Sequence, residues 1–158
     1  MSREASAVGS RAFKVGVWRS LMEVHNTVLS EIESELTEHH RLTVSEFDTL
    51  VNIPREGTRL RELRDRVVLS QSAVSRLCDK LESRGLLTRS PVEGDMRGAV
   101  IQLTEAGRKL IRKAARTNAD VVERMFADRM SETQLESLGE ALDQVCGRKQ
   151  EQGCDLAP

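Results

Sequence analysis

Small polar side chains and one long cation are concentrated between residues 70 and 76. The set comprises Ser70, Gln71, Ser72, Ser75 and Arg76. Glutamine can pair with adenine, arginine with guanine or a phosphate, and serine with either kind of base edge. A helix that carries these side chains on its exposed face can approach the base edges in the major groove of DNA. The alternative is an ordinary amphipathic helix whose polar face is only solvated.

A second group lies at the tip of a predicted hairpin, residues 93–97. A single arginine on such a tip, here Arg97, can enter the narrow minor groove, where the negative potential is strong. Asp95 could hold Arg97 in an extended rotamer and so lower the entropy lost on binding. The alternative is a surface ion pair, which contributes little free energy.

Residues for enzymatic chemistry are scarce. The sequence has no Gly-x-Gly-x-x-Gly, Gly-x-Ser-x-Gly or His-Glu-x-x-His motif and no phosphate loop. With three histidines and no tyrosine, little acid–base chemistry is available. We therefore expect neither enzymatic activity nor a cofactor.

The adjacent histidines His39 and His40, with Glu35 and Glu38 nearby, raise the question of a zinc site. No histidine follows His40 in the sequence, so only carboxylates remain as further ligands. Adjacent histidines at a helix end more often form a solvated terminus than a closed zinc site. We therefore expect no metal.

Three cysteines, Cys78, Cys146 and Cys154, form no Cys-x-x-Cys pair. This odd number indicates neither a disulfide framework nor a zinc ribbon. Cys78 lies at the edge of a predicted apolar helix face, and we interpret it as a core residue, because buried thiols without a cationic neighbour are inert. Arg76 and Lys80, which are close in sequence, leave a thiol-sensing alternative open.

The elements that must position these residues are mostly helical. The chain has 158 residues, of which 39% are hydrophobic and 31% charged, which fits one domain with a modest core. A first helix is predicted from about residue 11 to residue 37, because apolar residues recur at steps of three and four. That stripe consists of Trp18, Leu21, Met22, His25, Val28, Leu29, Ile32 and Leu36.

Three further helices are predicted before the hairpin. Thr43, with Glu46 three residues later, is a capping box that opens the second helix. Ser70 is predicted to cap the fourth helix, which ends at Gly85. The predicted inward residues are Phe47, Leu50 and Val51 in the second helix, Leu60, Leu63 and Val67 in the third, and Val74, Leu77, Cys78 and Leu81 in the fourth.

A β-hairpin and two helices follow. The hairpin strands are predicted at residues 86–90 and 99–103, with turn residues 91–95 between them. Thr104 is predicted to cap a long fifth helix, and Ser131 with Gln134 forms the capping box of a sixth. The apolar residues of the sixth helix make a coiled-coil-like seam of Leu135, Leu138, Leu142 and Val145.

Charge is distributed unevenly along the chain. The net charge is −1, but residues 55–113 contain 14 Lys and Arg against 8 Asp and Glu, a balance of +6. The remainder has 10 against 17, a balance of −7. A basic centre between acidic ends is expected if only the middle of the chain meets phosphates, although chance clustering on a solvated surface gives the same pattern.

Two parts of the sequence resemble a known family. The stretch Ser72-Ala-Val-Ser-Arg-Leu-Cys-Asp-Lys-Leu-Glu-Ser-Arg-Gly-Leu-Leu-Thr-Arg89 is similar to the recognition helix and first wing strand of the MarR (multiple antibiotic resistance regulator) family. Asp95-Met-Arg97, followed by Leu103-Thr-Glu-Ala-Gly107, is similar to the wing signature of that family. With the helix pattern, the resemblance covers roughly residues 11 to 146.

The resemblance implies a mainly α fold, a winged helix-turn-helix with a two-stranded wing. Residues 43–103 would form the DNA-binding lobe, residues 11–40 and 104–146 the helical base of a homodimer, and residues 1–10 and 147–158 flexible tails. It implies a transcriptional regulator of a palindromic operator in double-stranded DNA, usually a repressor.

Site residues carry over from the family by position. Ser72, Ser75 and Arg76 would contact the major groove and backbone. Arg97 would enter the minor groove with Asp95 as its orienting partner, and we expect a support or phosphate role for Arg89. The thiol-sensing branch of the family uses a cysteine near the start of the first long helix, and this chain has none there.

The family also binds small, often anionic, aromatic effectors between the dimer base and the winged lobe. Trp18 and His25 are candidates for such a pocket. The alternatives are a dimer-core role for Trp18 and a hydrogen-bonded interior or interface role for His25. No apolar stretch is long enough to cross a bilayer and the N-terminus lacks an apolar signal core, so we expect a cytoplasmic protein without membrane contact. A helical interaction scaffold that uses the Leu135–Val145 seam is the remaining alternative.

Overall fold

The computed structural model describes residues 9–67, 71–92 and 94–147. The chain divides into two compact units. We call the described residues 33–119 the central unit, and residues 9–32 with 120–147 the end unit. The helices are α1 Arg11–His40, α2 Val44–Val51, α3 Leu60–Arg66, α4 Gln71–Ser83, α5 Glu105–Met125 and α6 Glu132–Cys146, with a short 3₁₀ helix at Ala127–Arg129. The strands are β1 Thr58–Arg59, β2 Leu87–Val92 and β3 Asp95–Leu103.

The core of the central unit is formed by apolar residues from helices and sheet together. Most of the inward positions predicted for α3 and α4 are buried, as the helical periodicity indicated. Side chains with no exposed surface are Leu36, Leu42, Leu50, Leu63, Val74, Cys78, Leu81, Ile101 and Ala114. No helix among the described residues is long and apolar enough to cross a membrane.

The second helix begins as predicted but faces the core differently. Thr43 Oγ1 accepts a hydrogen bond from the Glu46 backbone N–H at 3.1 Å, and Glu46 Oε2 accepts one from the Thr43 N–H at 2.9 Å. The prediction that Val51 lies inside was wrong, because Val51 is 40% exposed at the last residue of α2. The buried residues of α2 are Glu46, Thr49 and Leu50. Two polar residues therefore occupy positions that an apolar pattern does not reveal.

The hairpin is longer than the sequence predicted. In the antiparallel sheet, with strand order β1-β3-β2, Pro91 pairs with Ala99, and the register shifts between Pro91 and Val92. Residues 91–95 were predicted as the turn, but Pro91 lies in β2, at the sheet edge and beside a register shift, which are the settings in which a strand tolerates proline. The short strand β1, which pairs Thr58 with Ile101, adds a third strand to the two predicted.

Helix α5 begins at a tight corner between α4 and β2. Thr104 Oγ1 donates to the Gly85 carbonyl oxygen at 2.7 Å and accepts from the Gly107 N–H at 3.0 Å, which confirms Thr104 as a cap. The Thr104 N–H donates to the Leu86 carbonyl oxygen at 3.1 Å. A Cβ on Gly107 would overlap that oxygen and lie 3.0 Å from the Leu86 carbonyl carbon. Only glycine lets the helix approach the corner this closely.

The end unit exposes much of its apolar surface in the single chain. In α1 the exposed residues include Phe13, Val17 and Trp18, and Trp18 is 60% exposed. The predicted Ser131–Gln134 capping box opens α6. No residue of α6 is buried, and Val145 is 85% exposed. Two helices of this unit thus carry apolar stripes without a covering partner among the described residues.

The corner at Gly107 gives a prediction for stability. Gly107→Ala should destabilise the protein by about 1–3 kcal/mol, because the new methyl group must displace the Leu86 backbone. Gly16→Ala is the control, since a Cβ at Gly16 meets nothing within 4 Å and α1 is helical there. That change should stabilise the protein by up to about 1 kcal/mol. Urea unfolding of both variants measures the difference, and equal stability of the two would contradict the geometry.

Candidate nucleic-acid interface

Helix α4 buries one face against the core of the central unit. Val74, Cys78 and Leu81 have no exposed surface, and Leu77 is half-buried. Since successive residues are rotated by roughly 100° about a helix axis, these four side chains occupy one side of α4. The opposite side is left for polar residues.

Two of the predicted contact residues lie on the exposed side of α4. Ser72 and Arg76 are exposed. The Arg76 guanidinium folds back along the helix, with Nε 3.3 Å from the Ser72 carbonyl oxygen and Nη2 3.5 Å from Ser72 Oγ. Ser75 is half-buried, less open than the prediction required. Ser70 and the side chain of Gln71 lie outside the described residues.

Arg89 on β2 clamps one flank of α4. Its Nη2 is 2.7 Å from Asp79 Oδ1 and 3.0 Å from the Ser75 carbonyl oxygen. Its backbone N–H donates to Glu82 Oε1 at 3.1 Å, and its Nε lies 3.7 Å from Glu82 Oε2. A half-buried guanidinium with this many partners fixes the first wing strand to α4.

Glu46 on α2 clamps the other flank of α4. Its side chain is 1% exposed, and its Oε1 lies 2.7 Å from Lys80 Nζ. Its Oε2 lies 3.5 Å from Arg84 Nη1 and also accepts the capping hydrogen bond from Thr43. One buried carboxylate therefore joins the start of α2 to the end of α4.

The hairpin of β2 and β3 projects from the same unit as α4. It turns between Val92 and Asp95 with Gly94 at a φ of +81°. Asp95 and Arg97 lie at the start of β3, next to this turn. Their side chains lie outside the described residues, so the predicted contact between them stays a prediction.

Comparison with known proteins matches this arrangement. A family model described as MarR family matches residues 40–98, the segment that holds α2, α3, α4 and most of the hairpin. The solved structure of Sco3205 from Streptomyces coelicolor, a MarR family transcriptional regulator in complex with DNA, superposes with a TM-score of 0.76 at 27% identity, over 93% of this chain and 95% of that one.

The chain is similar in sequence and in fold to transcriptional regulators of the MarR family. It is 31% identical over 85 residues to the transcriptional regulator PecS of Dickeya dadantii, a match that spans about half of each chain, 51% of this one and 51% of PecS. CouR from Rhodococcus jostii RHA1, solved with p-coumaroyl-CoA bound, superposes with a TM-score of 0.71 at 27% identity, over 86% of this chain and 95% of CouR. These are regulators and not enzymes, as the sequence predicted.

Cys78 has a cationic neighbour, Arg89, that the sequence did not reveal. Burial raises the pKa of the Cys78 thiol, and the charge and hydrogen bond of Arg89 offset that rise only in part. The sequence pointed to Arg76 and Lys80 as neighbours, but Arg76 is bound to Ser72 and Lys80 to Glu46. The thiol is therefore a protonated core residue, although the reason given for its inertness, the lack of a cation, was wrong.

The two histidines at the end of α1 have separate partners. His39 Nε2 lies 3.1 Å from Glu35 Oε2, one turn back. His40 Nε2 lies 2.8 Å from Thr117 Oγ1, and burial, with the nearby charges of His39 and Lys113, lowers the pKa of His40. Within residues 9–67, 71–92 and 94–147, no three His, Cys, Asp or Glu side chains are grouped to hold a metal ion.

The end unit contains a cavity of about 200 Å³ between α1 and α5. Its lining comprises Leu21, Val24, His25, Val28, Leu29, Ile32, Val122 and Phe126. Of the two predicted effector residues, His25 lines the cavity and Trp18 is not among its lining residues. The ring of His25 is exposed, and its Nδ1 lies 3.3 Å from Asn26 Oδ1.

Sequence reasoning missed the carboxylate at the centre of the site. Glu46 was placed correctly in a capping box, a role that is normally met at the surface. The available signal was the pair Lys80 and Arg84, spaced by four residues on the flank of α4 that faces α2. Because like charges four residues apart on a helix repel each other, an anion that compensates both of them is expected nearby.

The environment of Cys78 predicts slow thiol chemistry. In a Cys146→Ser, Cys154→Ser background, a thiol-reactive dye should label the native protein far more slowly than the urea-unfolded one, because the remaining thiol is buried and protonated. Restoring Cys146, which is exposed, should restore fast labelling. Rapid labelling of Cys78 in the native state would instead favour a thiol-sensing regulator.

Proposed function

We propose that this protein is a homodimeric repressor that binds a palindromic operator in double-stranded DNA. The observation that carries the proposal is the exposed face of α4. It lies between the ion pairs of Arg89 on one flank and those of Glu46 on the other, in the same unit as the hairpin wing. A helix of this width fits the major groove, and the helix-turn-helix geometry places its first turns at base edges. The DNA complex of the similar regulator Sco3205 supports the same use of this fold.

The major-groove contacts are assigned to the first turns of α4. Ser70, Gln71, Ser72 and Ser75 would supply short donors and acceptors, and Arg76 the bidentate donor for guanine or a phosphate. The Arg76 guanidinium needs only to leave Ser72, a weak exposed contact, to reach DNA. Arg89 has the support role, since its pairs with Asp79 and Glu82 occupy the charge that a phosphate would need.

The minor-groove contact is assigned to Arg97, with Asp95 as its orienting partner. Both residues lie beside the hairpin turn, where β3 begins. An arginine at such a tip reads groove width, because a narrow minor groove concentrates negative potential. Each protomer would therefore contribute one helix and one wing to an operator half-site.

The dimer is assigned to the apolar surface of the end unit. Large exposed apolar residues on one small unit are characteristic of an association surface. They include Trp18 and Leu21 on α1, and Leu135 and Val145 on α6. A second copy of the chain that covers these stripes would bury them.

We further propose that a small effector releases the repressor from DNA. The cavity lined by His25 and Phe126 suits an apolar or aromatic group, and His25 can meet a polar substituent. The similar regulator CouR binds p-coumaroyl-CoA, which supports a ligand that contains an aromatic ring. A regulator of this kind would act in the cytoplasm, where the DNA is.

The proposed dimer predicts the effect of charges in the α6 seam. Leu138→Glu with Leu142→Glu should dissociate the dimer or unfold the end unit, because association would bury two unpaired carboxylates. Sedimentation of wild type and variant at micromolar concentration measures the change. Glu140→Gln is the control, since Glu140 is exposed on the same helix. A wild-type protein that sediments as a monomer would contradict the proposed dimer.

The wing predicts a salt-dependent contribution to DNA affinity. Arg97→Ala should weaken binding more on an operator with AT-rich flanks than with GC-rich flanks, and should reduce the salt slope by roughly one unit. Asp95→Ala should have a smaller effect. Arg76→Ala should cost about 1–3 kcal/mol and relax the preference at one position of each half-site.

These three variants are compared by salt titration on matched duplexes that carry an inverted repeat chosen from the DNA upstream of the gene, where the operator is expected. Thermal unfolding of each variant serves as the folding control. Unchanged affinity and slope for Arg97→Ala would show that the hairpin does not contact DNA. A wild-type protein that binds the repeat no better than a scrambled duplex would refute the proposed function as a whole.

A further inference from the structure

Four residues follow one another at steps of four along α4 and its C-terminal end. They are Ser72, Arg76, Lys80 and Arg84. Since a step of four residues rotates by only about 40°, their side chains form a continuous stripe. The stripe begins at the proposed base-reading turns and carries three cations, all of which can in principle meet DNA phosphates.

Glu46 forms ion pairs with two of these three cations. Lys80 Nζ and Arg84 Nη1 lie 2.7 and 3.5 Å from the two oxygens of its carboxylate. The side chain of Lys80 is 59% exposed, whereas that of Glu46 is 1% exposed. The ammonium group is therefore turned from the surface toward a buried anion. Among the described residues, no carboxylate pairs with Arg76.

Glu46 is an anion at neutral pH. Burial by itself raises the pKa of the carboxyl group, but the ion pair with Lys80, the hydrogen bond from Thr43 and the charge of Arg84 outweigh it, so that the pKa lies below its ordinary value. The capping hydrogen bond from Thr43 does not require this charge, because a glutamine oxygen at the same position also accepts it. The charge is needed only for the two cations.

We infer that Glu46 is a specificity-determining residue, which withholds Lys80 and Arg84 from DNA phosphates and leaves Arg76 as the cation of the stripe that meets DNA. The inference rests on the proposed function. Cations that meet phosphates add affinity for every sequence, since each contact releases a counterion and steepens the salt dependence by about 0.9. Keeping Lys80 and Arg84 away from the phosphates therefore lowers the affinity for non-operator DNA. The base contacts that distinguish the operator are left in place.

The test compares Glu46→Gln, Lys80→Met and the double variant. Gln is similar in size to Glu and keeps the capping acceptor, so the fold should survive, which thermal unfolding checks. Binding to an operator duplex and to a scrambled duplex of equal length is measured across a salt series. Glu46→Gln should bind the scrambled duplex several-fold more tightly at low salt, with a slope steeper by about 0.9 to 1.8.

The other two variants separate charge release from a change of fold. Lys80→Met alone should leave the slope of the wild type unchanged, because Lys80 does not meet DNA while Glu46 holds it. The double variant should lose about 0.9 of the slope gained by Glu46→Gln, the part that Lys80 contributes, and its operator-to-scrambled affinity ratio should lie between those of the wild type and Glu46→Gln. A purely structural role of Glu46 predicts weaker binding to both duplexes and no increase in slope.

Two results would overturn the inference. One is a folded Glu46→Gln variant with the salt slope of the wild type. The other is a slope reduced by about one in Lys80→Met, which would show that Lys80 already contacts a phosphate. The second result decides the question even if Glu46→Gln does not fold. Failure of the proposed function is distinct, since it would appear as a wild type without preference for the operator.

Discussion

The position of α4, the proposed recognition helix, depends on three restraints around its circumference. Its apolar face, with Val74 and Leu81, is buried in the core. Arg89 holds one flank through Asp79, and Glu46 holds the other through Lys80. At roughly 100° per residue, Asp79 and Lys80 lie on different sides of the helix axis, so the helix can neither roll nor tilt without breaking an ion pair.

This restraint explains which side chains remain available at the surface. The two clamps take up the cations and carboxylates along both flanks of α4. What is left between them is the strip that contains Ser72 and Arg76, short polar groups with one flexible cation. A site that is fixed by other residues needs little reordering on binding, which favours affinity per contact. The wing is held by the same contacts, because Arg89 lies on β2 and joins the hairpin to α4.

Much of this arrangement could be predicted from the sequence, and the rest could not for definite physical reasons. The spacing of apolar residues predicted the buried face of α4, because burial follows the helical repeat. The capping boxes at Thr43 and Ser131 could be predicted because they are local sequence motifs. The clamps join residues far apart in the chain, such as Glu46 with Lys80, and no local pattern specifies such pairs. The strand β1 was missed because two residues, Thr58 and Arg59, are too short to show alternation. The turn was predicted to begin at Pro91, but this residue lies in β2, since an edge strand tolerates proline.

The central claim is that two copies of α4 read a symmetric site in DNA. Selection from a pool of random-sequence duplexes by the purified full-length protein tests it without assuming an operator. The account predicts enrichment of an inverted repeat whose half-site centres lie about one helical turn, roughly 10 base pairs, apart. Enrichment of a single asymmetric site, or no enrichment over the starting pool, would contradict it.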